Sequence, residues 1–244
     1  MIEAGLWGLL AASSLVLGAT VAVVAPPGRR LLGLVMAFGS GVLLSAISFE
    51  LVEEAVRTAG ALGSTFLGLF VGAIVFTVGD VLICRLGYAD RKDISGAPPD
   101  AGGLTIVLGS LLDGIPESAV LGLTLLQTGD VAAAMLVAVF VSNVPEAIAA
   151  TVGLRAGGWS RARVFTLWSV IAAASAIAAA AGFALLDGAS PDTLAFTFAF
   201  AGGAMLTMLA TSMMPEAFEH AGRAVGFVTV LGFAVAFGIN WLEG

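Results

Sequence analysis

Long apolar stretches recur along the whole chain and are separated by short breaks. The breaks carry residues typical of turns, as in Pro26-Pro27-Gly28, Gly157-Gly158 and Asp187-Gly188. A helix needs about 20 mainly apolar residues to cross the roughly 30 Å hydrocarbon core of a bilayer. The pattern therefore predicts eight transmembrane helices, at 4–25, 31–55, 64–86, 102–126, 130–153, 162–186, 193–215 and 225–242.

The composition agrees with a protein that lies almost wholly in the membrane. Of 244 residues, 59% are hydrophobic and only 11% are charged, and the mean hydropathy is +1.05. A soluble domain of this size needs more charged residues on its surface than this chain contains. We therefore expect an all-α integral membrane protein, multi-pass in the cell (inner or plasma) membrane, with the lipid bilayer around a single domain that spans 1–244. The first stretch carries Glu3 where a signal peptide has basic residues, so we interpret it as the first helix.

Several functions are disfavoured by the residue types that the sequence lacks. Its 10 lysines and arginines are scattered and its formal net charge is -7, which argues against a nucleic-acid partner. A lone cysteine, Cys84, excludes an intramolecular disulfide or a CxxC motif. Because the sequence contains neither HExxH nor GxSxG and its one histidine is His220, we do not expect an enzyme.

Basic residues are distributed unevenly between the predicted loops. With the N-terminus outside, Arg57 lies alone on the outer side. The inner side then receives Arg29, Arg30, Arg85, Arg91, Lys92, Arg155, Arg161, Arg163 and Arg223. This positive-inside bias predicts that both termini are extracytoplasmic.

The second and seventh spans have similar sequences. Residues 38–45 followed by Glu54-Ala55 match residues 200–207 followed by Glu216-Ala217, at a constant offset of 162. One explanation is that apolar helices rich in small residues resemble one another by chance. In the predicted orientation, however, the two spans cross the membrane in opposite directions, as an inverted repeat of helices 1–3 and 6–8 around helices 4 and 5 requires.

The fourth and fifth spans each carry a proline followed by a glutamate. Asp113 and Glu117 are four residues apart, as are Ser142 and Glu146, so each pair projects from one face of its helix. A charge at the bilayer centre costs on the order of 3 kcal/mol on insertion scales, which favours compensation by a cation, protonation or an internal water-filled cavity. We interpret Asp113, Glu117 and Glu146 as direct ligands of a cation, with Ser142 and Asn143 as weaker ligands or supporting donors.

The two prolines are expected to shape this site. Pro116 and Pro145 each remove a backbone donor, which frees the carbonyl groups of Leu112 and Val141 as further oxygen ligands. The alternative for either proline alone is an ordinary kink in a membrane helix.

These features resemble the ZIP family of divalent-metal transporters, over nearly the whole chain. The shared features are eight spans with outer termini, a Pro-Glu pair in spans four and five, and Met214-Pro215-Glu216 near the end of span seven. In the family, span four typically carries His-Asn-x-Pro-Glu-Gly, and the polar residues of spans four and five form a metal site, often two adjacent ones. The resemblance implies transport of a divalent ion toward the cytoplasm, without a permanent cofactor, and it is compatible with a homodimer.

The resemblance extends to single positions. Asp113 stands at the family's histidine, Gly114 at its asparagine and Glu117 at its glutamate, while Glu146 occupies the second ligand position in span five. Span six has no acidic residue or histidine to complete a second site, so one site is expected. An all-oxygen ligand set suits manganese, magnesium or calcium, and carboxylates also bind zinc and iron(II). The expected substrate is therefore a divalent ion such as zinc, manganese, iron(II), magnesium or cadmium.

Other polar residues are candidates for a transport pathway. Glu50 in span two and Asp80 in span three lie where a lipid-facing carboxylate would be costly. Glu216, Glu219 and His220 at the inner end of span seven would form a release route with Asp80. For His220, the alternative is an interaction with the helix dipole. The loop from 88 to 100 lacks the histidine cluster that the family often carries there, and we expect a solvated loop.

Two hypotheses remain from the sequence. The first is a divalent cation transporter with one carboxylate-rich site in the middle of the membrane. The second is a proton-coupled carrier of a different solute, in which the same carboxylates relay protons. Stabilisation by divalent ions distinguishes them, because only the first binds such ions.

Overall fold

The computed structural model describes residues 1–59, 62–85 and 103–243, and every regular element in these ranges is a helix. The loop from 88 to 100, which we expect to be solvated and which includes Arg91 and Lys92, lies outside the described residues. Each predicted span overlaps one helix of the described chain. The helices are α1 (Ile2–Val24), α2 (Arg29–Ala59), α3 (Leu62–Arg85), α4 (Gly103–Thr128), α5 (Ala133–Ala156), α6 (Arg161–Leu186), α7 (Pro191–Ala221) and α8 (Ala224–Glu243).

Seven helices in the described ranges are long and apolar enough to cross a membrane, and α4 is not in this set. This agrees with the predicted class of a helical membrane protein. The count of eight spans, the repeat and the outer termini stay predictions. The helices differ in depth: 67% of the apolar window of α2 is buried inside the protein, against 17% of that of α8, so α2 lies inside the bundle and α8 at its periphery.

The turns that precede α6 and α7 are built alike, from glycine and serine. Gly158 and Gly188 have positive φ angles of 84° and 75°, a conformation that glycine adopts without steric cost. Two residues later, Ser160 and Ser190 cap the next helix by accepting a hydrogen bond from the third backbone N–H that follows. Pro191 then takes the first helical position, where its missing N–H costs nothing. The glycine breaks predicted at these two places are confirmed.

Helices α2 and α7 each contain a π-helical turn that the hydrophobic pattern did not predict. The turns cover Ile47–Val52 and Leu209–Met213, so they begin 162 residues apart (209 − 47), which is the offset of the sequence repeat. Pro215 contributes to the turn in α7, because its ring is incompatible with a regular bond to the carbonyl of Thr211. The equivalent residue of α2 is Glu53, so proline is not the shared cause. The two helices are also longer than the predicted spans.

The main packing pairs are related by exchange of the two halves of the chain. Helix α3 packs along α7 and α2 along α8, α1 packs along α6, and α4 and α5 pack against α6 and α1. Exchanging α1–α3 with α6–α8, and α4 with α5, converts this set of pairs into itself. The packing is compatible with the inverted repeat.

The close contacts between helices are also related by exchange of the two halves of the chain. Gly41 of α2 lies against the carbonyl oxygen of Thr229 in α8, and Gly203 of α7 lies against that of Leu69 in α3. A Cβ atom at either glycine would overlap the oxygen. Gly203 follows Gly41 by 162 residues (203 − 41), so the same glycine position creates a close approach in each half.

Candidate metal centre

Helix α4 turns its acidic face into the protein. Asp113 and Glu117 are only 5% and 1% exposed, whereas Ile115, on the other side of the same turn, is 47% exposed. The spacing of four residues predicted this shared face. Two carboxylates are therefore held away from the lipid, in a segment that otherwise presents apolar side chains outward.

Helix α5 buries neutral polar groups at the matching positions. Ser142 is fully buried and Asn143 is 7% exposed, while Glu146 is half-buried. The Ser142 hydroxyl donates a hydrogen bond of 3.1 Å to the carbonyl of Val139. The lone pairs of its oxygen remain available as acceptors. Ser142 can thus act as an acceptor or a weak ligand.

Both prolines lie inside continuous helices. Pro116 falls within α4 and Pro145 within α5, and neither ends its helix. Since proline has no N–H, the carbonyl groups of Leu112 and Val141 lose their regular helical donor. These two oxygens lie one turn before Pro116 and Pro145, next to the polar residues of each motif.

Small residues on neighbouring helices enclose the two motifs. A Cβ atom at Gly39 of α2 would lie 3.4 Å from the Cα of Ser142, and one at Gly18 of α1 would lie 2.5 Å from the carbonyl oxygen of Val144. On the α4 side, Gly114 lies against Ser175 of α6. In the described chain each of the other six helices packs against α4 or α5, so these two helices are central.

Four of the five predicted ligands are buried and Glu146 is half-buried, but burial does not show that they bind one ion. Each of Asp113, Glu117 and Glu146 takes part in hydrogen-bonding or electrostatic interactions. Within the ranges that the structure describes, no three histidine, cysteine, aspartate or glutamate side chains form a group that could hold a metal ion. The assignment of the three carboxylates as ligands of a shared ion stays a prediction.

Glu50 has a partner that the sequence did not indicate. The amide Nδ2 of Asn240 in α8 donates a hydrogen bond to Oε1 of Glu50, which lies in the π-helical turn of α2. Phe49 packs beside them against Phe233 and Phe237, with ring centroids 6.2 and 5.3 Å away. A polar residue such as Asn240 in an apolar span was the available signal for this pair.

Two residues of the predicted release route, Glu216 and His220, contact each other. Nδ1 of His220 lies 3.8 Å from the Glu216 carboxylate and 3.2 Å from the Glu216 carbonyl oxygen, and the His220 side chain is 7% exposed. The carbonyl contact fits the alternative role at the C-terminal end of a helix. Glu219 is exposed and Asp80 of α3 is half-buried. Their role in transport stays a prediction.

Ser175 is a buried polar residue near the site that sequence reasoning missed. It is 4% exposed and faces Gly114, the position where the resemblance expects asparagine. Span six was expected to offer no acidic residue or histidine, and Ser175 adds a hydroxyl oxygen there. A lone serine among alanines was too weak a signal to single out.

The chain was also compared with known proteins. No family model matches it. It is similar to an Arabidopsis thaliana protein named "Putative zinc transporter", with 29% identity over 192 residues. The aligned region covers 78% of this chain but 30% of the relative, so the chain spans less than a third of the length of that curated protein.

Proposed function

We propose that the protein is a divalent metal cation transporter that moves its ion toward the cytoplasm through a site between α4 and α5. Asp113, Glu117 and Glu146 are the proposed direct ligands, with Ser142 and Asn143 as weaker ligands or supporting donors. The protein is proposed to be a single domain of the cell membrane that acts as a homodimer, without enzymatic activity or a permanent cofactor.

The burial of acidic residues in the central helices carries this proposal. Asp113 and Glu117 are almost completely buried in α4. Burying a carboxylate inside a membrane protein is costly unless a cation, a proton or water compensates its charge. Both acids lie within one turn of Pro116, where a backbone carbonyl loses its helical donor. A cation that recruits these oxygens would offset the cost of burial.

The donor chemistry favours hard or borderline divalent ions. All the proposed ligand atoms are oxygens, from carboxylate, amide, hydroxyl and carbonyl groups. Such a set suits manganese and magnesium, and it also binds zinc and iron(II). The name of the Arabidopsis relative supports zinc among these ions. Cadmium is a further candidate of the same charge.

The symmetry of the packing supports alternating access. The two sets α1–α3 and α6–α8 make equivalent contacts, and α4 and α5 lie between them. In transporters with inverted repeats, a central site is exposed to either side when one half moves against the other. We propose that α1–α3 and α6–α8 are such halves, in a protein of eight spans with both termini outside.

The rival function is a proton-coupled carrier of a different solute. Its carboxylates would relay protons and would not bind metal. Addition of millimolar zinc or manganese to the purified protein separates the two, since a ligand that binds the folded state raises the melting temperature. An unchanged melting temperature with every divalent ion would favour the proton relay.

Uptake into proteoliposomes tests the proposal. Zinc, manganese, iron(II), magnesium and cadmium are offered to the parent protein, Glu117→Gln and Glu146→Gln. Glutamine keeps the size of the side chain and removes the charge. The melting temperature of each variant shows whether it is folded. Glu3→Gln, at an exposed residue near the N-terminus, is the matched control. The proposal is wrong if both site variants transport every ion as fast as the control.

A further inference from the structure

Helices α7 and α8 separate near the turn that joins them. They leave a groove of about 640 Å³ between the last turns of α7 and the first turns of α8. Its walls include Ala210, Met214 and Phe218 from α7, with Gly226 and Thr229 from α8, and Arg223 lies at its end. The volume falls in the range of roughly 300–1,000 Å³ that is usual for small-molecule sites.

The groove exists because small residues line it next to an irregular turn. Ala210 belongs to the π-helical turn of α7, and Gly226 has no side chain. A Cβ atom at Gly226 would meet nothing within 4 Å, so there is open space beside α8. Small residues on both helices therefore leave part of the space that the groove occupies.

One polar atom in the groove has no protein partner. The Thr229 hydroxyl is buried and makes no hydrogen bond with the described residues. Thr207 and Thr211 of α7 donate to the carbonyl four residues earlier, at 2.8 and 2.9 Å, as threonines in membrane helices usually do. Because a buried hydroxyl without a partner is unfavourable, Thr229 is suited to a polar atom of a bound molecule.

The end of the groove carries a positive charge. Arg223 is exposed and follows Gly222, the residue with a φ of 61° that ends α7. The described parts of the chain supply Arg223 with no ion-pair partner. A guanidinium group at the end of a membrane helix matches the geometry of a phosphate group.

The groove lies at the outer surface of the helical bundle. Only 17% of the apolar window of α8 is buried, and Phe218 and Phe227 are 58% and 69% exposed. An occupant that enters from the bilayer therefore meets apolar walls first. The helical rise places Thr229 about 9 Å along the axis from Arg223.

We propose that the α7–α8 groove binds one anionic phospholipid. The phosphate group pairs with Arg223, an ester oxygen accepts a hydrogen bond from Thr229, and an acyl chain lies along Ala210, Met214 and Gly226. The charge of Arg223, the unpaired Thr229 hydroxyl and the apolar walls each match one part of such a lipid. This proposal is independent of the transport function, because it uses none of the carboxylates of α4 and α5.

Lipid binding to the full chain in a neutral detergent tests this site. The probes are dioleoylphosphatidylglycerol, dioleoylphosphatidylcholine and inorganic phosphate, and native mass spectrometry counts the bound lipids while melting temperature reports stabilisation. Both lipids carry the phosphate group, but the choline cation of phosphatidylcholine cancels its charge and repels Arg223, so we expect phosphatidylglycerol to bind about tenfold more tightly. Inorganic phosphate alone is expected to leave the melting temperature unchanged.

Two variants and two controls locate the binding. Arg223→Gln should remove the preference for phosphatidylglycerol, and Gly226→Leu should weaken the binding of both lipids because the leucine fills the groove. Arg161→Gln removes another exposed arginine, and Gly238→Leu adds a side chain where α8 also has open space; both should bind like the parent.

Four results would overturn the proposal. The first is an equal affinity of the parent for the two lipids. The second is a preference that survives in Arg223→Gln, and the third is stabilisation by inorganic phosphate alone. The fourth is a dimer that Gly226→Leu dissociates while lipid binding stays unchanged, which would identify the groove as a contact between two copies of the chain.

Discussion

Helices α4 and α5 carry the same proline-glutamate pair in different surroundings. When their prolines are aligned, Glu117 matches Glu146 and Asp113 matches Ser142. Both acids of α4 are buried, whereas α5 buries neutral Ser142 and Asn143 and leaves Glu146 half-buried. Helix α4 thus holds both of its carboxyl groups inside the protein, and α5 holds the more accessible one.

This difference suggests unequal roles in the proposed transport. A buried carboxylate is costly without a cation nearby, so α4 is expected to supply most of the affinity. The accessible Glu146 is expected to meet the ion earlier, as it enters or leaves. Four experiments test the comparison of α4 with α5, from the largest expected effect to the smallest.

Removal of the Glu117 charge should have the largest effect. Glu117→Gln is expected to reduce the initial rate of zinc and manganese uptake by more than roughly a hundredfold, since loss of a supporting group around a metal already costs about 10–100-fold. Glu146→Gln is expected to raise KM about tenfold with a smaller change in maximal rate. Proteoliposome kinetics measure both. Identical effects of the two variants would contradict unequal roles.

Exchange of the residues that precede the prolines tests whether α4 must carry the second charge. Asp113→Ser should weaken metal affinity by roughly 10–100-fold. Addition of Ser142→Asp restores the number of acidic residues, but we expect only partial recovery because the charge then lies on the other helix. Uptake KM is the measurement. Full recovery would mean that only the total charge matters.

Two glycines test how each motif helix is held. A Cβ at Gly122 of α4 would overlap the carbonyl of Ala179, and one at Gly18 of α1 would lie 2.5 Å from the carbonyl of Val144 beside Pro145. Each glycine-to-alanine change should destabilise the protein by about 1–3 kcal/mol.

Metal transport should separate these two glycine variants. Only Gly18→Ala is expected to change KM as well, because it displaces the α5 motif. Gly238→Ala, in open space on α8, is the matched control for melting temperature and uptake. Equal KM values for the Gly18 and Gly122 variants would contradict this.

The smallest effect concerns a hydrogen bond that α5 makes and α4 lacks. Nε1 of Trp168 donates to the Thr151 hydroxyl at 2.8 Å, and both residues are buried. The matching residue of α4, six positions after its proline, is Gly122. Thr151→Val should cost about 1 kcal/mol of unfolding free energy, the net value of one hydrogen bond.

A double-mutant cycle isolates this bond. In the Trp168→Phe background no indole N–H remains, so Thr151→Val should cost much less there. Denaturation in detergent measures the four proteins. A cost that is the same in both backgrounds would show that Thr151 acts through packing alone.

The hydrophobic pattern predicted the helices well because a bilayer imposes length and apolarity on each one. Turn residues such as Gly158 and Gly188 could be predicted because a positive φ angle depends on the residue type at that position. The i,i+4 spacing of Asp113 and Glu117 likewise predicted their common face. The π-helical turns and the lengths of α2 and α7 were missed, since hydrophobic periodicity does not report the pattern of backbone hydrogen bonds.

The sequence by itself determined the class of the protein, the positions of its helices and the residues of its candidate site. These features follow from composition, periodicity and the missing N–H of proline, which act within one segment. Only the tertiary structure decided that Glu50 meets Asn240, that Gly114 faces Ser175 and that a groove opens beside Arg223. Such contacts join residues far apart in the chain, and small side chains and close backbone approach determine them more than any local pattern does.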